Sequence, residues 1–245
     1  NLAIGVAPGD SDGPGDILAT FNVTLNANRS YVAIANGVLS PGDFAANPEG
    51  LDIGFSVFPR GDVSESANWG LVKLLAFHGA TDAPAVDIVR EGEYGFAYPL
   101  FRDLSYGEYS LTKTLLPRKY TLEVTPAGDN DTVVAAFAAD LRGLANGAAV
   151  VFASGFLSPA DNQGGPAFGL FAALPSGTVI ALPRVDQTAR LQVIHNAADP
   201  AAASVDVYVN GALALDDFAF RTATPFLELP AGVVLNIGVA PGTSD

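Results

Sequence analysis

Cysteine and methionine are absent from this 245-residue chain, tryptophan occurs once, histidine twice, and lysine only at Lys73, Lys113 and Lys119. Without cysteine there are no disulfides and no thiolate metal sites. Two domains of this size can manage without covalent staples, so the absence does not exclude secretion. No methionine stands even at position 1, which gives the expectation of a processed chain or a slice of a longer one. Charge is scarce and one-sided: 16% of residues are charged, 26 acidic against 12 basic, for a net charge of −14. Such a surface repels nucleic acid and anionic lipid, so no nucleic-acid partner is expected, although it can collect cations. Long apolar runs are missing too. The longest uncharged stretch, Asn162 to Pro183, is broken by Gly164, Gly165, Pro166 and Pro175. It reads as strands and turns, and no membrane insertion is expected.

What is present is apolar and punctuated. Hydrophobic residues make up 49% of the chain, with 26 glycines and 17 prolines spread between short apolar runs. That pattern predicts an all-β protein of many short strands and tight turns.

Self-comparison is more informative. Residues 1–12 (NLAIGVAPGDSD) and 234–245 (VLNIGVAPGTSD) agree at nine of twelve positions, 233 residues apart. A weaker repeat lies inside that period. Phe77-His78-Gly79-Ala80-Thr81-Asp82 parallels Ile194-His195-Asn196-Ala197-Ala198-Asp199, and Val86-Asp87-Ile88 parallels Val205-Asp206-Val207. Asn36-Gly37-Val38-Leu39-Ser40-Pro41 parallels Ser154-Gly155-Phe156-Leu157-Ser158-Pro159. The ordered matches divide the chain into three: 70–183 as a complete unit, 184–245 as the first half of a sister unit, and 1–69 as the second half of one.

Period-two runs give the strands. Val205–Val209 running into Asn210-Gly211 is a hairpin signal, because both turn residues tolerate positive φ. Leu18–Leu25 and Tyr31–Ala35 read as a second hairpin around Asn26–Ser30, with Val134–Leu141 and Ala149–Ala153 as its equivalent, followed by strands at Leu51–Phe58 and Phe168–Leu174. The fold expected is a tandem of Ig-like, Greek-key β-sandwiches, one complete and one split between the two chain ends.

The segments His78–Asp87, His195–Pro200 and Ser204–Tyr208 resemble the opening signature of the secreted bacterial and archaeal modules called domain of unknown function 4397. Leu229-Pro230-Ala231-Gly232 also fits, whereas the other copy departs with Leu116-Pro117-Arg118-Lys119. The resemblance implies exported, often tandem, β-sandwich modules and no known activity.

Candidate sites are few. His78 and His195 occupy matching places, each with a carboxylate nearby (Asp87, Asp206). The repetition favours a brace of imidazole and aspartate holding the loop after the first strand over a metal ligand or base, since no second histidine lies at ligand spacing. Asp10, Asp12 and Asp16 sit on a Gly-rich loop spaced as calcium ligands are, so calcium is the one cofactor to consider, although Asp with Gly is also ordinary turn chemistry. Arg60-Gly61-Asp62 opens a polar stretch to Asn68 that reads as a linker. Trp69 with Tyr94, Phe96, Tyr98, Phe101, Tyr106 and Tyr109 would make either a glycan platform or internal packing. No nucleophile, base and oxyanion donors assemble, so no enzyme is expected.

The half unit 184–245 would expose an apolar face bearing Leu191, Val193, Val205, Val207 and Leu235, which needs closing. The duplicated strand, Leu2, Ile4 and Val6 at one end and Leu235, Ile237 and Val239 at the other, is the expected assembly strand. Closure could come from the next copy, covalently continued or a separate subunit, or from within the chain; a linear series favours the next copy. These points predict an extracellular or cell-surface structural protein whose partner is its own kind. A secreted adhesion module for glycan or cell surface is the other reading.

Overall fold

The computed structural model describes residues 2–91, 97–186, 188–231 and 233–242. Tyr94, Phe96, Gly232 and the carboxyl-terminal Thr243-Ser244-Asp245 of the sequence reading lie outside the described residues. The protein is all-β: among the described residues the only helical pieces are three-residue 3-10 turns such as Pro41–Asp43 and Pro159–Asp161. It forms two compact units, 1–185 and 186–245.

The first unit runs β1 (Leu2–Val6), β2 (Ala19–Val23), β3 (Tyr31–Asn36), β4 (Ser56–Gly61), β5 (Val72–His78), β6 (Val86–Glu91), β7 (Ala97–Leu104), β8 (Lys113–Leu115), β9 (Lys119–Pro126), β10 (Ala135–Asp140), β11 (Ala148–Ser154), β12 (Gly169–Ala173) and β13 (Val179–Ala181). Strands β5–β13 build a sandwich of two sheets, ordered β10-β9-β6-β7 and β13-β12-β11-β5-β8. β5 and β11 pair in parallel at the centre of the larger sheet, with Leu75 opposite Val150 and Phe77 opposite Phe152. Both sheets feed one core: Val72, Leu74 and Val151 from the larger, and Ile88, Phe101, Leu122, Val124 and Phe137 from the smaller. β5 is buried on both faces, which explains its near-continuous apolar sequence, VKLLAFH.

The outer face of β5 is covered by residues of 1–69. Phe58 on β4 lies 5.5 Å from the Phe77 ring, and Val38, Ile53 and Tyr106 form a second cluster beside it. Buried Asn47 donates from Nδ2 to the carbonyls of Thr81 (2.9 Å) and Ala83 (3.1 Å), while the Tyr109 hydroxyl donates to the Phe58 carbonyl at 2.8 Å. The stretch read as a linker also packs: Arg60-Gly61 belongs to β4, Asp62 pairs with Arg29, and Ala67 is buried. Its backbone hydrogen bonds to Ser30 and Asn146 fix it.

The expected hairpin of Leu18–Leu25 with Tyr31–Ala35 does not form. β2 pairs with β1, and β3 pairs with β4; the connecting residues 24–30 let the chain change sheets instead of doubling back. The equivalent β10 and β11 likewise belong to different sheets. The strand expected at Leu51–Phe58 is displaced to Ser56–Gly61.

The second unit holds β14 (Thr188–Leu191), β15 (Ser204–Val209), β16 (Ala212–Ala219), β17 (Leu227–Pro230) and β18 (Ile237–Pro241). β15 and β16 turn at Asn210 (φ 52°) and Gly211 (φ 82°), the two-residue turn the sequence signals. The sheets are β16-β15-β18 and β14-β17.

The internal repeat is visible in the pairing. β15 pairs β16 and β18 as β6 pairs β7 and β9, with the same register shifts at Val207 and Ile88. β14 pairs β17 as β5 pairs β8. On the other half, Ile4 faces Phe21 as Leu122 faces Phe137. β3 and β11 both end at a left-handed glycine, Gly37 and Gly155, where a Cβ would strike the backbone carbonyl of Gly54 or Ala167.

Candidate functional site

The two histidines do the same thing twice. His78 Nε2 lies 3.0 Å from the Pro84 carbonyl and His195 Nε2 lies 2.8 Å from that of Ala202. A carbonyl only accepts, so both rings carry their proton on Nε2. His195 Nδ1 then accepts from the Ala197 N–H at 3.3 Å, whereas His78 Nδ1 is buried without a partner. Burial beside the apolar Phe77, Ala83 and Val86 holds the His78 pKa below its ordinary value, against the pull of the Pro84 carbonyl. A neutral, enclosed imidazole is a brace for the loop after β5.

The expected imidazole–aspartate pair is corrected by the structure. Period-two alternation turns Val86 and Ile88 into the core and Asp87 the other way. The Asp87 carboxylate accepts from the Asp103 N–H at 2.8 Å and, more weakly, from Gly128 N–H at 3.4 Å. Asp206 accepts from the Asp217 N–H at 2.9 Å. Asp103 and Asp217 both sit in the left-handed region, at φ 50° and 48°, a conformation Asp tolerates better than most residues. Each buried aspartate therefore holds the bulge on the neighbouring strand. The loop brace has another carboxylate: Asp82 accepts from the N–H groups of Leu157 and Ser158 (2.8 Å each) and from Asn162 Nδ2 (2.9 Å).

The calcium loop is not gathered. Asp16 turns its carboxylate back to accept the Asp12 N–H, four residues earlier, at 2.9 Å, a hydrogen bond that closes the loop on itself. Among the described residues the one acidic group whose oxygens lie within 4.8 Å of one another is Asp206, Asp216 and Asp217. Sequence reading missed it because the three converge across β15 and the β16 bulge. Arg102 precedes Asp103 where Asp216 precedes Asp217, so the acidic trio is not repeated in the other copy.

Nor do the described aromatic residues converge on a platform. Phe101 and Tyr106 are buried, Trp69 is 92% exposed, and Tyr98 stacks under Arg90. Burial pushes the Tyr109 hydroxyl up to about 12, opposed by Arg60 and a backbone hydrogen bond at Ile34.

The strands expected from the sequence to mediate assembly present the largest anomaly. In the complete sandwich Leu122 and Val124 are each 2% exposed; their counterparts Ile237 and Val239 are 57% and 66% exposed. Leu191 is exposed as well, whereas Val205 and Val207 are buried within the second unit. Leu2 on β1 is exposed and Ile4 half-buried. Among the described residues β18 is hydrogen-bonded to β15 alone and β1 to β2 alone, whereas the equivalent β9 is flanked by β6 and β10. No helix among the described residues is long and apolar enough to cross a membrane. No protein family, no curated protein and no solved structure matches the chain, so the resemblance carried by His78–Asp87 and Ser204–Tyr208 stands on those residues alone.

Proposed function

We propose that this chain is a structural subunit, or a repeat segment, of an extracellular surface protein or filament. Copies of it are joined in a linear series by completing one another's split β-sandwich. The observation that carries the reading is the contrast along one strand: an apolar sequence buried in β9 is laid bare in β18. Burying one such Ile or Val is worth about 1.5–3 kcal/mol, and an exposed, unpaired strand edge invites another chain. The β1–β4 region supports it from the other side, since it repeats β9–β12 strand for strand in pairing partners. Strand addition from a neighbour is an established way to complete such a sheet. The reading assigns no catalysis, and membership in the family of exported tandem modules is part of the same proposal.

Negative-stain electron microscopy with light scattering on the purified chain tests it. Concentration-dependent linear polymers are the expected outcome. A strictly monomeric chain at high concentration would overturn the proposal.

A further inference from the structure

Resting on that reading, we infer where the joining strand goes: Arg190–His195 of a second copy lies along the free edge of β3, parallel to it, with Ser30 opposite Arg190 and Ile34 opposite Ile194. The register comes from the complete sandwich. There β11 is paired on one edge by β12 and on the other, in parallel, by β5. β3 is the counterpart of β11: it has the same antiparallel partner on one side, ends at the same kind of left-handed glycine, and is followed by the same Pro-initiated 3-10 turn. Its other edge carries no strand among the described residues.

The consequence is measurable in burial. Val151 and Ala153 on β11 belong to the core, whereas Ala33 and Ala35, their counterparts on β3, are exposed. Alongside lies an open groove of about 610 Å³, walled on one side by Val32 and Ile34 and on the other by Lys73, Leu75, Val150 and Phe152. A strand adding to β3 enters this groove.

The chain contains one further segment of the β5 kind. Ile194-His195 repeats Phe77-His78, and β14 pairs β17 as β5 pairs β8, leaving the edge of β14 that matches the β11-facing edge of β5 without a strand among the described residues. Ile194 is 64% exposed where Phe77 is 1% exposed. Carrying over the observed pairs Lys73 with Ala148, Ala76 with Val151, and Phe77 with Phe152 sets Arg190 opposite Ser30, Val193 opposite Ala33, and Ile194 opposite Ile34. Charge agrees with this register. Glu65 is held beside Ser30 by a hydrogen bond to its hydroxyl, so the guanidinium of Arg190 arrives next to a carboxylate. The occupant is therefore a second copy of this chain.

The cysteine-free sequence makes the test clean. Single variants Ala33→Cys and Val193→Cys are purified separately, mixed at assembly concentration and oxidised. Paired strands bring Cα atoms to about 5 Å, within disulfide reach. The expected result is a mixed disulfide dimer that dominates over either homodimer and vanishes on reduction, while Ala33→Cys mixed with Thr188→Cys, five residues out of register, stays unlinked. Both substitutions are small and at positions not buried in the free chain, and far-ultraviolet circular dichroism checks that each variant folds. Linear polymers without the mixed disulfide would overturn this register and leave the proposed function standing. Neither polymers nor disulfide would overturn both. A disulfide confined to single chains in the double variant, with the mixed singles unlinked, would mean closure within one chain and would also overturn the inference.

Discussion

The first half of the complete sandwich, β5–β9, and the second unit carry the same strand plan but not the same burial. His78 and Asp87 are 1% exposed, and His195 and Asp206 are 7% and 0% exposed. The polar braces are thus in place in both copies. The apolar face is not: Ile194 and Val239 are 64% and 66% exposed where Phe77 and Val124 are 1% and 2% exposed. These four braces are local, the histidines closing onto the loop after their strand and the aspartates onto the bulge of the next strand. The core is non-local and needs strands from the other half of a sandwich. What β14–β18 keep are contacts that close among their own strands and loops; the apolar side chains they leave exposed are ones whose counterparts are buried in the complete sandwich.

The sharpest way to break that comparison is to truncate matched side chains. Phe77→Ala empties a buried ring site and should cost about 3–5 kcal/mol, read as loss of hydrogen-exchange protection across β5 and β11. Ile194→Ala in the dispersed chain should cost under about 1 kcal/mol, because the side chain is already mostly in water. Polymers formed by Ile194→Ala should nevertheless dissociate at lower denaturant than the parent. Equal costs in the dispersed chain would mean that Ile194 is not waiting for a partner.

The second comparison concerns the braces, where the copies should behave alike. Asp87→Ala and Asp206→Ala each strand a backbone N–H, that of Asp103 and of Asp217. Each should cost about 1–3 kcal/mol. Amide exchange at Asp103 and Asp217 reads the effect site by site, which avoids treating two units as one transition. A brace that matters in one copy and not in the other would break the parallel.

Much of the architecture was legible in the sequence. Alternation marked the strands, Asn210-Gly211 marked its hairpin, and the ordered repeats marked matching strands, because each of these is a local or periodic signal. Sheet membership was not legible. Asn26–Ser30 and Ala145–Gly147 look like hairpin loops, yet the strands on either side pair elsewhere, since a short polar connection does not record which neighbour a strand will find. The partners of His78 and Asp87 were missed for the same reason. Both bond to backbone groups, and backbone groups carry no residue signature.

A smaller effect concerns His78 and pH. His78 is buried neutral with its pKa lowered by desolvation. In the unfolded chain the imidazole takes its proton near the ordinary value of about 6.5. The unfolded state therefore binds more protons below that pH, and stability falls as pH drops from about 6.5 toward the lowered folded pKa, by at most about 1.4 kcal/mol per pH unit for one group. Above about 6.5 the contribution is complete and flat. Proton NMR of the His78 ring should titrate below 6.5, and exchange protection in β5 should weaken over the same acidic range. A His78 midpoint at or above 6.5 would remove the desolvated-imidazole account.

The smallest expected effect is that of calcium, and it also bears on the difference between copies. Asp10, Asp12 and Asp16 are exposed, and Asp16 is engaged with the Asp12 backbone, so no preformed cage stands in that loop. Asp206, Asp216 and Asp217 do converge, but one Asp206 oxygen already accepts the Asp217 N–H, and Arg102 replaces the third acid in the other copy. A ligand that binds only the folded state raises stability by RT ln(1 + [L]/Kd), about 2.7 kcal/mol at a hundredfold excess over Kd. Calcium with a millimolar Kd would therefore give a visible rise at tens of millimolar. With a net charge of −14, any salt relieves self-repulsion, so the control is magnesium at equal ionic strength. The expected melting curves in calcium, in magnesium and in chelator with matched salt coincide. A calcium-specific rise removed by Asp216→Asn would establish a site in the second unit that the complete sandwich lacks. The same rise removed by Asp12→Asn would restore the loop as the site.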